Sequence, residues 1–271
     1  MLTNKNIDIY FFTGTGNTYL CAKRIADKLK NKGFAVSVKN IEKSNPREIN
    51  LSNALGIAFP TACWNTFPIV KDFINSIPNS CGTQCFVFTT MGDSSLKCAQ
   101  NFGNVLKKKG YFLTGAQGFL MPNNFIAVRS KEKNSIKREK AFKKTDAFVD
   151  SIIDGTAILF SKTNLFFRLC FKLTDFITNL WRTKLVQKFF KFELLWNSCT
   201  RCGLCTKICP TKNISQLDLP SFTDKPDLPS FDGKKCQFCL RCISYCPKQS
   251  IKSFFVRKTY RALENIEEVL K

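Results

Sequence analysis

Two identical cysteine spacings, 37 positions apart, constrain this chain more than any other feature of its sequence. Each copy has three cysteines separated by two residues each, then three more residues and a fourth cysteine that is followed by proline. The copies are Cys199, Cys202, Cys205 and Cys209, and Cys236, Cys239, Cys242 and Cys246. With 14 cysteines and no histidine, the chain cannot build histidine-based zinc catalysis, histidine triads or histidine haem ligation.

The spacing of both copies resembles that of the bacterial ferredoxins with two clusters, in which the fourth cysteine crosses to the other cluster. That resemblance implies two [4Fe–4S] clusters. The first would be bound by Cys199, Cys202, Cys205 and Cys246, and the second by Cys236, Cys239, Cys242 and Cys209. Structural zinc and disulfides are the alternatives, but eight thiolates in two equal quartets exceed the four ligands of a zinc site.

Residues 1–156 alternate between short apolar runs and stretches with helical spacing, which predicts a doubly wound α/β domain with a parallel sheet. The predicted strands are Asp8–Phe12, Phe34–Val38, Ala54–Phe59, Phe86–Thr90 and Tyr111–Thr114, and the predicted helices are Thr18–Asn31, Ile69–Ile77 and Leu96–Lys108. In such a fold, ligands bind at the carboxyl ends of the strands.

The loop after the first strand is rich in glycine and threonine. Its residues are Thr13, Gly14, Thr15, Gly16, Asn17 and Thr18. Glycines let the backbone approach an anion closely, and the following helix contributes free N–H groups, so the loop is suited to a phosphate. A threonine-capped turn without a ligand is the alternative. The loop has no Gly-Lys-Ser/Thr sequence, so it is not a Walker loop.

This loop resembles the phosphate loop of flavodoxins, and the resemblance implies an FMN site. Two further loops are similar to those that flank the flavin in that family. They are Thr61, Ala62, Cys63 and Trp64 after the third strand, and Thr90, Met91, Gly92 and Asp93 after the fourth. Trp64 is the only aromatic residue in these two loops, whereas flavodoxins usually cover both flavin faces. A reductase whose flavodoxin-like domain works without FMN is therefore an alternative.

Residues 157–196 are aromatic and basic, with apolar residues at helical spacing. We interpret them as an amphipathic helical linker that packs on one domain, with an interfacial helix on anionic lipid as the alternative. The whole chain carries 42 basic and 20 acidic residues, a formal charge of +22. Bound clusters and FMN would lower this to about +16. Such a charge favours an acidic redox partner or an anionic membrane surface, and the lack of a base-reading module disfavours nucleic acid.

The sequence therefore resembles flavodoxin–ferredoxin fusion proteins. Its expected parts are a flavodoxin-like domain at 1–156, the linker at 157–196, a small α+β ferredoxin domain at 197–257 and a C-terminal helix at 258–271. The resemblance implies an oxidoreductase or electron carrier that relays single electrons between two [4Fe–4S] clusters and FMN. A redox or iron–sulfur sensor with a basic binding surface is the rival hypothesis. The sequence shows no signal peptide or membrane span, so we expect a cytoplasmic protein.

Overall fold

The computed structural model describes residues 1–93, 97–124, 128–157, 169, 172–176, 192–216, 229–231, 235–254, 256 and 258–270. By their contacts, the residues divide into two units. The N-terminal unit comprises Met1–Thr13, Asn17–Pro122 and Arg129–Phe176, and the C-terminal unit comprises Gly14–Gly16, Asn123–Val128 and Ile177–Lys271. None of the helices in the described ranges is both long and apolar enough to cross a membrane.

A five-stranded parallel sheet organises the N-terminal unit. Its elements are β1 Asn6–Phe11, α1 Asn17–Asn31, β2 Ala35–Asn40, β3 Ala54–Pro60, α2 Pro68–Ser76, β4 Gln84–Met91, α3 Cys98–Lys108, β5 Phe112–Leu120 and α4 Lys131–Asp154. The strand order is β2-β1-β3-β4-β5, which is the flavodoxin-like order. The predicted fold class is confirmed.

The sheet is buried on both faces, because right-handed crossovers place α1 on one face and α2 and α3 on the other. Strands β1, β3 and β4 are therefore buried along almost their whole length. Phe86, Phe88, Phe119 and Phe148 form a chain of ring contacts, with centroids 5.7–6.4 Å apart, that ties β4 and β5 to α4.

Helix α4 was not predicted from the sequence. It begins after Ser130, whose hydroxyl oxygen accepts a hydrogen bond from the Lys133 amide, and it ends at Gly155 in the left-handed conformation. It packs beside α1, where Arg24 forms an ion pair with Asp146 at 2.6 Å. The helix has few apolar residues among many lysines, so its core-facing stripe is weak in the sequence.

The C-terminal unit is built from short elements. They are β6 Phe192–Leu194, α5 Leu204–Lys207, β7 Ile214–Gln216, β8 Pro229–Phe231, α6 Arg241–Tyr245, β9 Ile251–Ser253 and α7 Glu267–Leu270. Strand β6 pairs antiparallel with β9, and β7 pairs antiparallel with β8. The small α+β ferredoxin-like domain is as predicted.

Two boundary predictions need correction. Strand β6 lies inside the segment 157–196 that the sequence predicted to be helical, because its Phe-Glu-Leu pattern alternates as a strand does. The described helical part of that segment is 169 and 172–176, and most of the rest lies outside the described residues. The C-terminal helix spans only Glu267–Leu270 instead of 258–271, although Ile266 and Val269 are buried as a docking face requires.

The cysteine duplication is also a duplication of backbone conformation. Three pairs of residues that are 37 positions apart adopt the left-handed region with nearly equal φ angles. The pairs are Arg201 (56°) and Phe238 (55°), Gly203 (67°) and Leu240 (63°), and Lys212 (49°) and Gln249 (50°). The two halves of the domain therefore repeat the same turns around their cysteines.

Candidate cofactor sites

The first candidate site lies at the carboxyl edge of the parallel sheet. Strand β1 pairs with β2 on one side and with β3 on the other, so the order in which strands are added to the sheet reverses at β1. Such a switch point is where open α/β sheets bind ligands. The flavin-site residues predicted from the sequence lie at this edge, in the loops that follow β1, β3 and β4 and in the adjoining first residues of α1 and last residues of β4.

The loop after β1 is polar and buried. Thr13, Thr15 and Thr18 are each almost fully buried, and the Thr18 and Thr90 hydroxyl oxygens lie 2.7 Å apart. The hydroxyl of Thr15 has no hydrogen-bond partner among the described residues. Leaving a buried hydroxyl unsatisfied costs about 1–3 kcal/mol, so an anionic oxygen at this loop would be stabilised. Helix α1 begins at Asn17 and directs its N-terminus toward such an anion.

The tip of this loop, Gly14–Gly16, belongs by its contacts to the C-terminal unit. Within that unit, the Thr15 carbonyl accepts hydrogen bonds from the Ala262 amide at 2.7 Å and from the Tyr245 hydroxyl at 3.1 Å. These two bonds hold the backbone of the tip in place.

Close packing explains why the tip contains glycine. A Cβ atom on Gly14 would lie 2.5 Å from the Cys239 carbonyl oxygen, which is too close for any side chain. A Cβ atom on Gly16 would lie 2.7 Å from Cγ of Leu263, and the φ angle of Gly16 is +101°. Side chains at either position would disturb the tip or the cysteine segment.

The loop after β3 is a tight turn that presents Trp64. Ala62 and Asn65 exchange two backbone hydrogen bonds of 2.8 and 3.0 Å, and Cys63 and Trp64 between them have φ angles of 48° and 57°. Left-handed conformations cost non-glycine residues roughly 1–2 kcal/mol each. The turn leaves Trp64 49% exposed at the sheet edge, where a planar ligand could stack on it.

An ion pair contacts this turn through Asn65. The Lys71 ammonium group lies 2.6 Å from an Asp175 carboxylate oxygen, and the same oxygen accepts a hydrogen bond of 3.3 Å from the Asn65 amide. The side chain of Lys71 is only 8% exposed. The sequence did not reveal this contact, because the residues lie about a hundred positions apart.

The loop after β4 contains Met91, Gly92 and Asp93. The Lys137 ammonium group on α4 donates a hydrogen bond of 2.5 Å to the Gly92 carbonyl. Burial lowers the pKa of Lys137, Arg129 lowers it further, and Asp93 raises it. Lys137 is a site residue that sequence reasoning missed, since α4 itself was not predicted.

The three loops together fit a phosphorylated aromatic cofactor such as FMN. The first supplies hydroxyls and a helix N-terminus, the second an exposed indole, and the third a glycine–aspartate turn. A buried hydroxyl that lacks a partner is the observation that most directly indicates a missing ligand atom.

The second candidate site consists of two cavities in the C-terminal unit. The first is lined by Cys199, Cys202, Cys205 and Cys246. The second is lined by Cys209, Cys236, Cys239 and Cys242. Each cavity has three thiols from one copy of the repeat and the fourth from the other. This is the ligand arrangement that the ferredoxin resemblance implies.

Single-metal geometry is absent from the described part of the chain, where no group of three or more Cys, Asp or Glu residues is placed to hold one ion.

The two crossing cysteines have matching amide donors. The Asn213 amide donates to the Cys209 sulfur at 3.3 Å, and the Ser250 amide donates to the Cys246 sulfur at 3.2 Å. These donors are 37 positions apart, as the cysteines are. Amide bonds to sulfur stabilise a thiolate and help to set the potential of a cluster.

Without a bound cation, two thiols in the second cavity, those of Cys236 and Cys242, are poor acids. Burial, with smaller effects from Cys239 and Cys209, raises the pKa of Cys236 to about 12. The pKa of Cys242 is also raised well above its usual value by burial and by neighbouring thiols. Binding of iron must therefore release protons and overcome repulsion among the four sulfurs.

Comparisons with known proteins find matches to both parts of the chain. Residues 198–250 match the family model described as a 4Fe-4S dicluster domain. An uncharacterized polyferredoxin-like protein of Methanocaldococcus jannaschii is 34% identical over 58 residues, which is 20% of this chain and 34% of that protein. The matched segment thus spans about a third of that relative's length.

Solved flavodoxin structures resemble the N-terminal part. A Streptococcus pneumonia TIGR4 flavodoxin has 18% identity and a TM-score of 0.42, covering 54% of this chain and 98% of that one. Oxidised Flavodoxin 2 from Bacillus cereus has 17% identity and a TM-score of 0.42, covering 54% of this chain and 99% of that one. The strand order establishes the flavodoxin-like fold, and the family match establishes a [4Fe–4S] domain.

Proposed function

We propose that this protein is an electron carrier that passes single electrons among two [4Fe–4S] clusters, one FMN and an external redox partner. The observation that carries the proposal is the pair of cavities, each lined by four cysteines drawn from both copies of the repeat. When bound, each cluster exchanges one electron, and FMN exchanges one or two.

The cysteines of each cavity would ligate one cluster, with Cys209 and Cys246 as the crossing ligands. The loop Thr13–Thr18 would hold the FMN phosphate through hydroxyls and amides. Trp64 would cover one face of the flavin ring, and the turn Met91–Asp93 would border its edge. The buried Thr15 hydroxyl supports the phosphate assignment.

Metal and flavin analysis of the anaerobically purified full chain tests the proposal. We expect about eight irons, a similar amount of acid-labile sulfide and one FMN per chain. Substoichiometric reductant should then distribute electrons between the clusters and flavin at a rate that does not depend on protein concentration. Zinc without iron would contradict the carrier proposal, and iron without flavin would contradict its FMN half.

An acidic protein is the partner that the charge of +22 favours, and a cytoplasmic location is the one we propose for its reduced thiols. An anionic membrane surface is a further contact that we propose, on one observation. Leu169, Leu173 and Phe176, one helical turn apart in the basic segment 157–196, are 65%, 58% and 62% exposed. The expected inward packing of this apolar face is not seen for these residues.

Vesicle sedimentation distinguishes this contact from a purely soluble role. Wild type should bind phosphatidylserine vesicles more strongly than phosphatidylcholine vesicles, and Leu173→Asp should reduce that binding several-fold. Ile136→Asp is the matched control, because Ile136 is a similarly exposed apolar residue on α4. Equal binding by wild type and Leu173→Asp would remove the membrane contact from the proposal.

A further inference from the structure

A buried charge, that of Arg241, breaks the symmetry of the cysteine repeat. Arg241 occupies the place in the second half that Leu204 occupies in the first, 37 positions earlier. The backbones match there, because Leu204 begins α5 after the left-handed Gly203, and Arg241 begins α6 after the left-handed Leu240. The two side chains therefore stand at equivalent places in the two halves.

Arg241 is buried beside the second cavity. Its side chain is only 1% exposed, and it lines the cavity together with Cys209, Cys236, Cys239 and Cys242. Its Nη1 atom donates a hydrogen bond of 2.8 Å to the carbonyl of Ile208, the residue before the crossing ligand Cys209. The guanidinium is thus held in a fixed position.

The first cavity has no equivalent buried charge among its described lining residues. It is lined by Leu204 and by Arg201, but Arg201 is exposed to water, which screens its charge. The counterpart of Arg201 in the second half is Phe238, whose ring stacks on Phe192 with centroids 5.5 Å apart. The two halves thus carry their arginines in opposite environments.

A buried cation is costly unless a nearby negative charge compensates it. A [4Fe–4S] cluster with four thiolate ligands carries about −2 when oxidised, and reduction adds one more negative charge. Arg241 would stabilise the reduced form more than the oxidised form, because its attraction grows with the charge it faces. Leu204 offers no such attraction.

We propose that Arg241 raises the reduction potential of the cluster in the second cavity above that of the cluster in the first. This inference rests on the proposed function, since it requires both clusters. Arg241 acts through its charge. Because that charge would raise the potential of the nearby cluster, electrons that enter the protein from a low-potential one-electron donor would collect at the second cavity. That is the cavity whose Cys239 packs against the tip of the phosphate loop.

The test is a potentiometric titration of the anaerobic full chain with dithionite, followed by low-temperature EPR, after iron and sulfide have been quantified. Wild type should titrate in two one-electron steps whose reduction potentials differ by at least about 59 mV, which corresponds to a tenfold difference in equilibrium constant. Arg241→Met should lower the reduction potential of the upper step by the equivalent of at least tenfold in equilibrium constant. The potential of the lower step should stay unchanged. Arg201→Met is the matched control and should move neither step by more than threefold.

Arg241→Gln separates charge from hydrogen bonding, because glutamine keeps a donor for the Ile208 carbonyl but has no charge. A lowered reduction potential of the upper step in this variant supports the inference. The same measurement tests the inference if Arg241→Met fails to assemble clusters. A single unresolved step in wild type, or an unchanged upper step in Arg241→Gln, would overturn the inference. Failure of the proposed function is distinct, since it would appear earlier as a lack of iron.

Discussion

The two candidate sites are formed in different ways. In the N-terminal unit, the loops extend from strands whose core is complete without a ligand, with Ile9, Phe59 and Phe88 fully buried. In the C-terminal unit, the buried core is a small cluster that includes Ile214, Ile243 and Ile251, and the cysteines pack around it. A large core can hold the loops of a binding site in place without a ligand. A small core depends for its stability on the group that its cysteines bind.

Removal of the clusters should have the largest effect and should be confined to one unit. We expect iron chelation, or the Cys239→Ser substitution, to unfold most of the C-terminal unit, because metal binding supplies its folding energy. Hydrogen exchange should show loss of protection at the Asn213 and Ser250 amides, which donate to cysteine sulfurs. Amides in β3 and β4 should remain protected.

Cys81→Ser is the control for that experiment, since Cys81 is an exposed cysteine outside both quartets. It should retain full iron content and wild-type exchange. Protection at Asn213 that survives complete removal of iron would show that the C-terminal core is sufficient by itself.

Truncation of the sheet core should have the next largest effect, in the other unit. Phe88→Ala removes a fully buried ring in β4 that contacts Phe86 and Phe119, and such substitutions cost about 3–5 kcal/mol. Denaturant unfolding followed by exchange at β3 amides would measure the loss. Iron content should not change, and a parallel loss of iron would mean that the two units fold together.

The contrast between the units also explains what the sequence could predict. The grouping of the cysteines was predictable because their spacing resembles that of the two-cluster ferredoxins, and each cavity is lined by the four cysteines that this resemblance implies. The loops at the sheet edge were predictable because glycines and threonines directly follow apolar strands. Strand β5 extends to Leu120 rather than Thr114, because Gly115, Gln117 and Gly118 interrupt the apolar pattern while the backbone still pairs with β4.

Long-range contacts between polar residues could not be predicted. Lys137 reaches the turn at Gly92 from a helix whose apolar stripe is too sparse to recognise, and Asp175 supports Asn65 across 110 positions. Strand β6 has only three residues, which is too short for a periodic pattern. The sequence also could not distinguish Arg241 from Arg201, because only the structure shows that Arg241 is buried and Arg201 is exposed.

Removal of one hydroxyl should separate flavin binding from stability. Thr15→Val deletes a buried hydroxyl that lacks a partner, so we expect the flavin-free protein to be as stable as wild type or more stable by up to about 1 kcal/mol. FMN affinity, measured by fluorescence quenching of the flavin, should fall about tenfold, which is about 1.4 kcal/mol.

Thr114→Val provides the opposite control, because the Thr114 hydroxyl donates to the Cys85 carbonyl at 3.0 Å. It should lower stability by about 1 kcal/mol without changing FMN affinity. If Thr15→Val bound FMN as tightly as wild type, the phosphate would have to lie elsewhere than at this hydroxyl.

The smallest effect should come from a surface ion pair in the helix layer of the N-terminal unit. The hydrogen bond from Arg24 lowers the pKa of Asp146, burial opposes that shift, and the charge of Arg24 adds to it. A lowered pKa means that the folded state favours the carboxylate. The pair therefore stabilises the protein above the unfolded pKa of about 3.9, and its contribution is lost as the pH falls through the folded pKa.

Asp146→Asn should accordingly cost about 0.5 kcal/mol at pH 7, because both side chains of the pair are partly exposed, and progressively less as the pH falls below about 3.9. Hydrogen exchange at α1 amides, compared between variant and wild type at each pH, would measure the difference. High salt should reduce it at pH 7, since exposed charges are screened. A cost that persisted at low pH would assign the contribution of Asp146 to packing of α4 on α1 rather than to its charge.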